Sequence, residues 1–227
     1  MPDLNTLGLD TSGQCLALCL LTRDGQLYAA IRRVGLKHAE LLMPLVDTLL
    51  SDASIPASDL DLLVCSKGPG SFTGLRIGLA TAKGISLATG CPLVSVATLD
   101  VMVYGLSYFK GAVVPIVDAK KGRVYSAIYK EGKRISDYLD LSPQELRELL
   151  FPEDEILFTG PDQHLMKTQE LNKHIFFDTR HSDSFVLDII SLGLEQFRVN
   201  GPDQDDGGPL YVRSSDAEIS LKAQKIK

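Results

Sequence analysis

The chain has 227 residues and a formal net charge of -6, so it is long enough to bury a substantial core and presents no overall basic surface of the kind that binds nucleic acid through its phosphates. No apolar run is long enough to span a bilayer, and no basic segment followed by an apolar one opens the chain, which makes the cytoplasm the expected compartment. Its four cysteines, Cys15, Cys19, Cys65 and Cys91, form no C-x-x-C pair and fall in or beside strands, so buried reduced thiols are expected rather than a zinc site or a disulfide framework.

The first residues alternate between strands and tight turns. Residues 6–10 (TLGLD), 15–21 and 27–33 read as a three-stranded meander, with a polar loop from Asp10 through Gln14 and a turn at Asp24-Gly25. The pattern then changes to helical spacing over 37–50. There Leu41, Leu42, Met43, Leu45, Val46, Leu49 and Leu50 cover a wide arc, leaving Glu40, Pro44, Asp47 and Thr48 as a narrow polar side. Pro44 lacks an N–H and strains this helix unless it lies in the first turn. An apolar strand at 60–65 follows, then a loop with Gly68, Pro69, Gly70, Ser71 and Gly74, and a helix over 75–89 stopped by Gly90 and Pro92. This helix is apolar on nearly all sides. Leu75, Gly78, Leu79, Ala82, Ile85, Ser86 and Thr89 share one face, and Gly74, Gly78, Ala82 and Ser86 form a ridge of small residues that admits another backbone. A strand at 92–96 and a helix over 98–106 with Thr98 as N-cap complete the order βββαβαβα.

A second round begins at Ala112. Strands are expected at 113–117, 124–129 and 134–139, a helix over 143–150 opened by Ser142, Pro143 and Glu145, and further strands at 155–159 and 175–177. Ser184 reads as the cap of a helix running to Phe197, residues 200–208 as a mobile linker, and residues 216–227 as a terminal helix or a disordered end. Each half thus runs strand, Asp, polar turn, strand, strand, helix, strand. The fold expected is a duplicated α/β one with two related βββαβα-type domains, at 1–106 and 107–210, and a tail at 211–227.

The residues with chemical potential are few. Asp10-Thr11-Ser12-Gly13 and Asp118-Ala119-Lys120-Lys121-Gly122 end corresponding first strands, as the two sides of a metal-nucleotide cleft would, with backbone N–H groups for phosphate and carboxylates for a metal; Asp and Ser serving only their own turns explain the same spacing. GPGSFTG is not a Walker A loop, a dinucleotide fingerprint or a nucleophile elbow, since Pro69 replaces the first glycine of the last. A tight turn that sets its helix against neighbours remains, or an anion site at a helix start. His38, His164, His174 and His181 have no paired helical spacing, so no metal site is expected, and His38 reads as a polar helix-start residue.

TLGLDTS, KHAELLMPLVDTLL, KGPGSFTGLRIGLATAKGISLA and DAKKGRVYSAIY together, with PLYVR at 209–213 a weaker match, resemble the bacterial TsaB (YeaZ) family; residues 142–200 match loosely. The resemblance implies the actin-like ATPase, Hsp70 and sugar-kinase (ASKHA) fold. It implies a non-catalytic partner subunit that binds and supports TsaD, the enzyme that adds threonylcarbamoyl to the adenosine beside the anticodon of tRNAs reading ANN codons. It also implies recruitment of the ATPase TsaE, homodimers, and only indirect contact with tRNA. TsaD carries a metal-binding histidine motif that this chain lacks. No cofactor is required by the chain itself, with ATP and Mg²⁺ entering at the level of the complex.

In the family the two apolar helices build the subunit interface, which here points to Leu41, Leu42, Leu45, Leu49, Leu75, Gly78, Leu79, Ala82 and Ser86 in the first domain. Asp10, Thr11, Ser12, Asp118 and Lys120 become a degenerate nucleotide cleft. The alternatives are an active ATP-dependent small-molecule kinase using Asp10 and Asp118, and a peptidase, for which no nucleophile or metal site is visible. A local basic patch near Lys120, Lys121 and Arg123 could contribute to tRNA contact.

Overall fold

In the computed structural model, the described residues are 4–150, 155–167, 174–180, 185–204 and 206–213. The first lobe contains β1 (Thr6–Asp10), β2 (Cys15–Leu21), β3 (Leu27–Arg33), α1 (His38–Asp52), β4 (Leu62–Gly68), α2 (Phe72–Thr89), β5 (Leu93–Ala97) and α3 (Thr98–Val103). Its strands form one sheet in the order β3-β2-β1-β4-β5; the meander is antiparallel, and β4 and β5 run parallel to β1. β1, β4 and β5 are buried on both faces, which is why they read as unbroken apolar runs rather than as alternating ones.

The second lobe contains β6 (Ala112–Pro115), β7 (Val117–Lys120), β8 (Arg123–Ser126), β9 (Tyr129–Lys130), β10 (Lys133–Arg134), β11 (Leu139–Leu141), α4 (Pro143–Leu150), β12 (Ile156–Thr159) and β13 (Ile175–Phe177), followed by α5 (Phe185–Asn200). Its main sheet, β10-β9-β6-β12-β13, repeats the first sheet's order and strand directions. The duplication inferred from the order of elements is therefore present in the hydrogen-bonded topology.

The strands expected at 113–117, 124–129 and 134–139 are each split in two. Their leading or trailing halves leave the main sheet to form a second one, β11-β8-β7. Pro115, with no N–H, ends β6. At Ile128 a side chain takes over from the ladder: its N–H donates to Ser136 Oγ at 2.9 Å. The apolar pattern runs on through both breaks, so the sequence carries no signal for them.

α3 is shorter than the 98–106 expected, and Thr98 is inside it rather than capping it; Ala97 precedes the helix with no side-chain cap. Tyr104 N–H bonds back to Val101 O and Leu106 N–H to Val103 O, so the last turn tightens instead of continuing. α4 does form behind a capping box: Ser142 Oγ accepts from Glu145 N–H at 3.2 Å and Glu145 Oε2 from Ser142 N–H at 2.6 Å. The expected cap at Ser184 and the expected terminal helix at 216–227 lie outside the described residues.

Helices α1 and α2 cover one face of the first sheet. α3 and α5 cover the other, where Ile189, Ile190 and Leu194 pack with Val64, Val94 and Leu99. A Cβ on Gly193 would overlap Val64, so the glycine is what lets α5 lie this close to β4. Although α5 falls within residues 107–210, it completes the first lobe's core. That core runs on into the second lobe through Val113, Tyr129 and Leu157. Polar ties reinforce the junction: Asp100 accepts from the hydroxyls of both Tyr129 and Tyr138.

Within 200–208, expected to be a mobile linker, Asp203 is pinned. Asp203 N–H donates to Leu93 O at 2.8 Å and its carboxylate accepts from Ser95 N–H at 2.9 Å, satisfying the free edge of β5.

Candidate functional site

The glycine loop leads β4 into α2, which starts at Phe72 rather than Leu75. Ser71 is its N-cap, its hydroxyl accepting from Gly74 N–H at 3.3 Å. Gly70, Gly74 and Gly78 present a bare strip of backbone, and the β1–β2 loop fills it. Ser71 N–H donates to Ser12 O at 2.7 Å, and Thr11 Oγ1 donates to Gly74 O at 2.8 Å. A Cβ on Gly70 would lie 2.5 Å from Ser12 O, one on Gly74 would overlap Thr11 O, and one on Gly78 would overlap Thr11 Oγ1. The small-residue ridge does admit another backbone, and that backbone is the chain's own.

This packing decides what the first Asp loop can do. Asp10 is half-buried; its carboxylate accepts from Ser12 N–H at 2.8 Å and from Ser66 Oγ at 2.6 Å. Thr11 and Ser12 are buried. Ser66, which sequence spacing did not single out, holds Asp10 from the neighbouring strand. On the second lobe Asp118 takes Lys120 N–H and Lys120 Nζ, each at 2.7 Å, in a turn whose residues Lys120, Lys121 and Gly122 all have positive φ. Burial pushes the Asp118 carboxyl up, but the Lys120 hydrogen bonds outweigh it and hold the group below the usual carboxylate range.

The groups that would cradle a phosphate or hold its metal are thus already engaged: the Thr11 hydroxyl and Ser12 N–H internally, the Asp118 carboxylate by an ammonium. Among the described residues no three of His, Cys, Asp and Glu lie together as metal ligands. His38 is the first residue of α1 and is buried. Cys19, Cys65 and Cys91 are buried thiols and Cys15 is half-buried. Burial pushes the Cys19 and Cys65 thiols far up and Cys91 to about 11. No described helix is long and apolar enough to cross a membrane.

The residues expected at a subunit interface divide. Leu42, Leu49, Leu75, Gly78, Leu79 and Ala82 are buried within the chain. The richer apolar face of each helix is the one its own sheet takes. Leu41, Leu45 and Ser86 are half-buried and reach the outside. The outer face of α2 carries Thr73, Arg76, Ala80, Gly84, Leu87 and Ala88, with Leu87 90% exposed; on α1, which packs against α2, Met43 is exposed. Phe72 and Arg76, at the start of that face, stack with Tyr211.

Two lobes with the same mixed-sheet order, joined through a shared core, define a protein of the actin-like ASKHA fold. YeaZ from Pseudomonas aeruginosa superposes with a TM-score of 0.74 at 21% identity, over 92% of this chain and 100% of that one. Sequence narrows the class. The family described as "TsaD: tRNA N6-adenosine threonylcarbamoyltransferase" matches residues 32–175. The chain is 31% identical over 160 residues to the tRNA threonylcarbamoyladenosine biosynthesis protein TsaB of Bacillus subtilis, across 65% of this chain and 70% of that one. It is 33% identical over 129 residues to the protein of the same name from Escherichia coli, across 56% of this chain and 55% of that one. The chain belongs to the TsaB/YeaZ family.

Proposed function

We propose that this chain is a non-catalytic subunit of the cytoplasmic machinery that makes threonylcarbamoyladenosine in tRNA, and that it acts by holding a TsaD-type transferase against the outer faces of α1 and α2. One observation carries the reading. The inner face of α2 is consumed by the chain's own sheet and by Thr11, yet its outer face remains a low, mostly uncharged stripe of Ala80, Gly84, Leu87 and Ala88. Small residues along a helix let a second helix approach closely, and Leu87 is an exposed anchor of the size that fills a pocket.

The same surface serves a homodimer when TsaD is absent. TsaE joins the assembled pair, ATP and Mg²⁺ act at that level, and tRNA is met mainly by TsaD, in keeping with the net charge of -6. The engaged hydrogen bonds at Asp10 and Asp118 favour this reading over a kinase-like one.

Leu87→Glu and Gly84→Arg test the surface, since both positions are exposed and neither contributes to the core. Each variant should keep the wild-type melting temperature and lose at least about 30-fold in affinity for TsaD, the cost of one interface hot spot. Both variants binding TsaD as wild type by calorimetry would remove α2 from the interface. Binding of Mg-ATP to the isolated chain at micromolar concentration would restore the kinase-like reading.

A further inference from the structure

The last described residues do something that neither lobe's fold requires. Leu210 N–H donates to Lys67 O at 2.6 Å, just where β4 enters the glycine loop. Gly68, at φ +108, meets Leu210 O so closely that a Cβ there would lie 2.8 Å from it. One residue on, the Tyr211 ring stacks on Phe72 at 5.1 Å and its hydroxyl accepts from Arg76 Nε at 2.8 Å; the Arg76 guanidinium lies 3.8 Å from the centre of the Phe72 ring. Those contacts are all on the first lobe.

Two residues further, Arg213 grips the second. Its Nε and Nη2 reach the two oxygens of Asp140 at 2.5 and 2.7 Å, and Nη1 donates to Ala119 O at 3.2 Å. Asp140 on β11 is also held by Arg123 Nε at 2.9 Å. The carboxylate is thus a fixed, two-pronged anchor rather than a loose surface charge.

The attachment points are informative. Lys67 is next to Ser66, which holds Asp10, and Ala119 is next to Asp118. The segment therefore attaches beside the residue that holds Asp10 on one lobe and beside Asp118 itself on the other. Residues 210 to 213 are three peptide units apart, at most about 11 Å when extended, so a short tether joins the two lobes. The shared core and Asp100 already join the lobes through other elements. A link through 210–213 adds a second tie, and two ties made by different elements restrict rotation where one alone does not.

We propose that residues 210–213 are a clasp that sets the opening between the two Asp loops, locked at one end by the Phe72–Arg76–Tyr211 stack and at the other by the Arg213–Asp140 pair. Releasing either end frees the other. The inference does not depend on which protein binds α2.

Amide exchange followed by NMR on the full chain tests it. In Arg213→Ala the Leu210 amide, which Arg213 does not touch, should exchange about 10-fold faster or more, reporting a local opening at the first lobe. Arg213→Lys keeps the charge but loses the fork, and should show the same change to a lesser degree. Phe72→Ala runs the comparison from the other end, with faster exchange expected at residues 123–125. If Arg213→Ala and Arg213→Lys speed exchange only in β7, β8 and β11 while Leu210 keeps its wild-type rate, the two ends are independent and there is no clasp.

Discussion

Replacing Gly74 by alanine should destabilise the protein by about 3 kcal/mol, the upper part of the range for overpacking a filled site. The added methyl would overlap the backbone oxygen of Thr11, which has no rotamer through which to escape. The whole β1–β2 loop would have to move, taking with it the hydrogen bonds from Thr11 Oγ1 to Gly74 O and from Ser71 N–H to Ser12 O. Alanine is a better helix former than glycine by roughly 1 kcal/mol, so the observed loss is what remains after that gain. For a chain of this size the melting temperature should fall by about 10 °C.

Gly78→Ala makes a different clash, against the Thr11 side chain rather than its backbone. It should cost less, and adding Thr11→Ala should recover most of the loss. The same second change should do nothing for Gly74→Ala. Thermal melts of the four chains decide it: equal rescue of both glycine variants, or a Gly74→Ala chain as stable as wild type, would show that the loop is not seated on these glycines.

The helix itself was legible in the sequence, but the face it turns to its own sheet was not. Spacing on a wheel reveals that α2 has two apolar sides. It does not reveal which one the sheet takes. The sheet takes the richer side, with Leu75, Leu79 and Ala82, because burying more apolar area is worth more, at roughly 25 cal/mol per Å². What is left for a partner is the poorer stripe of Ala80, Gly84 and Leu87.

β1, β2 and β3 were readable to the residue because turns with Asp, Gly and Ser bound them and their register needs no distant partner. The bends that divide the second lobe's strands were not, since a strand that changes sheets keeps the same alternation. Asp10 was visible as a strand end; Asp118, expected to end the second lobe's first strand, instead lies inside β7, after β6 has ended at Pro115. Their engagement by Ser66 and Lys120 depends on strand pairing and turn geometry that spacing does not encode. The Arg213–Asp140 pair joins residues 73 apart with no local pattern to announce it.

Arg180→Ala should be the most damaging polar substitution, and its cost should grow with pH. The guanidinium donates from Nε to Asp178 at 2.9 Å, from Nη1 to Asp188 at 3.3 Å and Tyr104 O at 3.2 Å, and from Nη2 to Met102 O at 2.8 Å. It ties β13 to the end of α3 and to α5, and so holds both lobes at their junction. Removing it leaves two carbonyls short of a donor and strands two carboxylates of which Asp178 is nearly buried, a loss of about 3 kcal/mol or more.

The pH dependence follows from Asp188. Burial pushes its carboxyl from 3.8 up to about 6, with Arg180 pulling it down and Asp178 pushing it further up. Between those two values the folded protein holds a proton that the unfolded chain has released, so stability contributed by this group falls as pH rises through that window. Without Arg180 the folded value rises further and the loss extends to higher pH. Urea midpoints should therefore separate wild type from Arg180→Ala more at pH 8 than at pH 5, and Asp188→Asn added to Arg180→Ala should return the penalty to its pH 5 size at every pH. A penalty that is the same at pH 5 and pH 8 would mean that Asp188 titrates at the same pH with and without its arginine, and that Arg180 stabilises the junction through its other contacts.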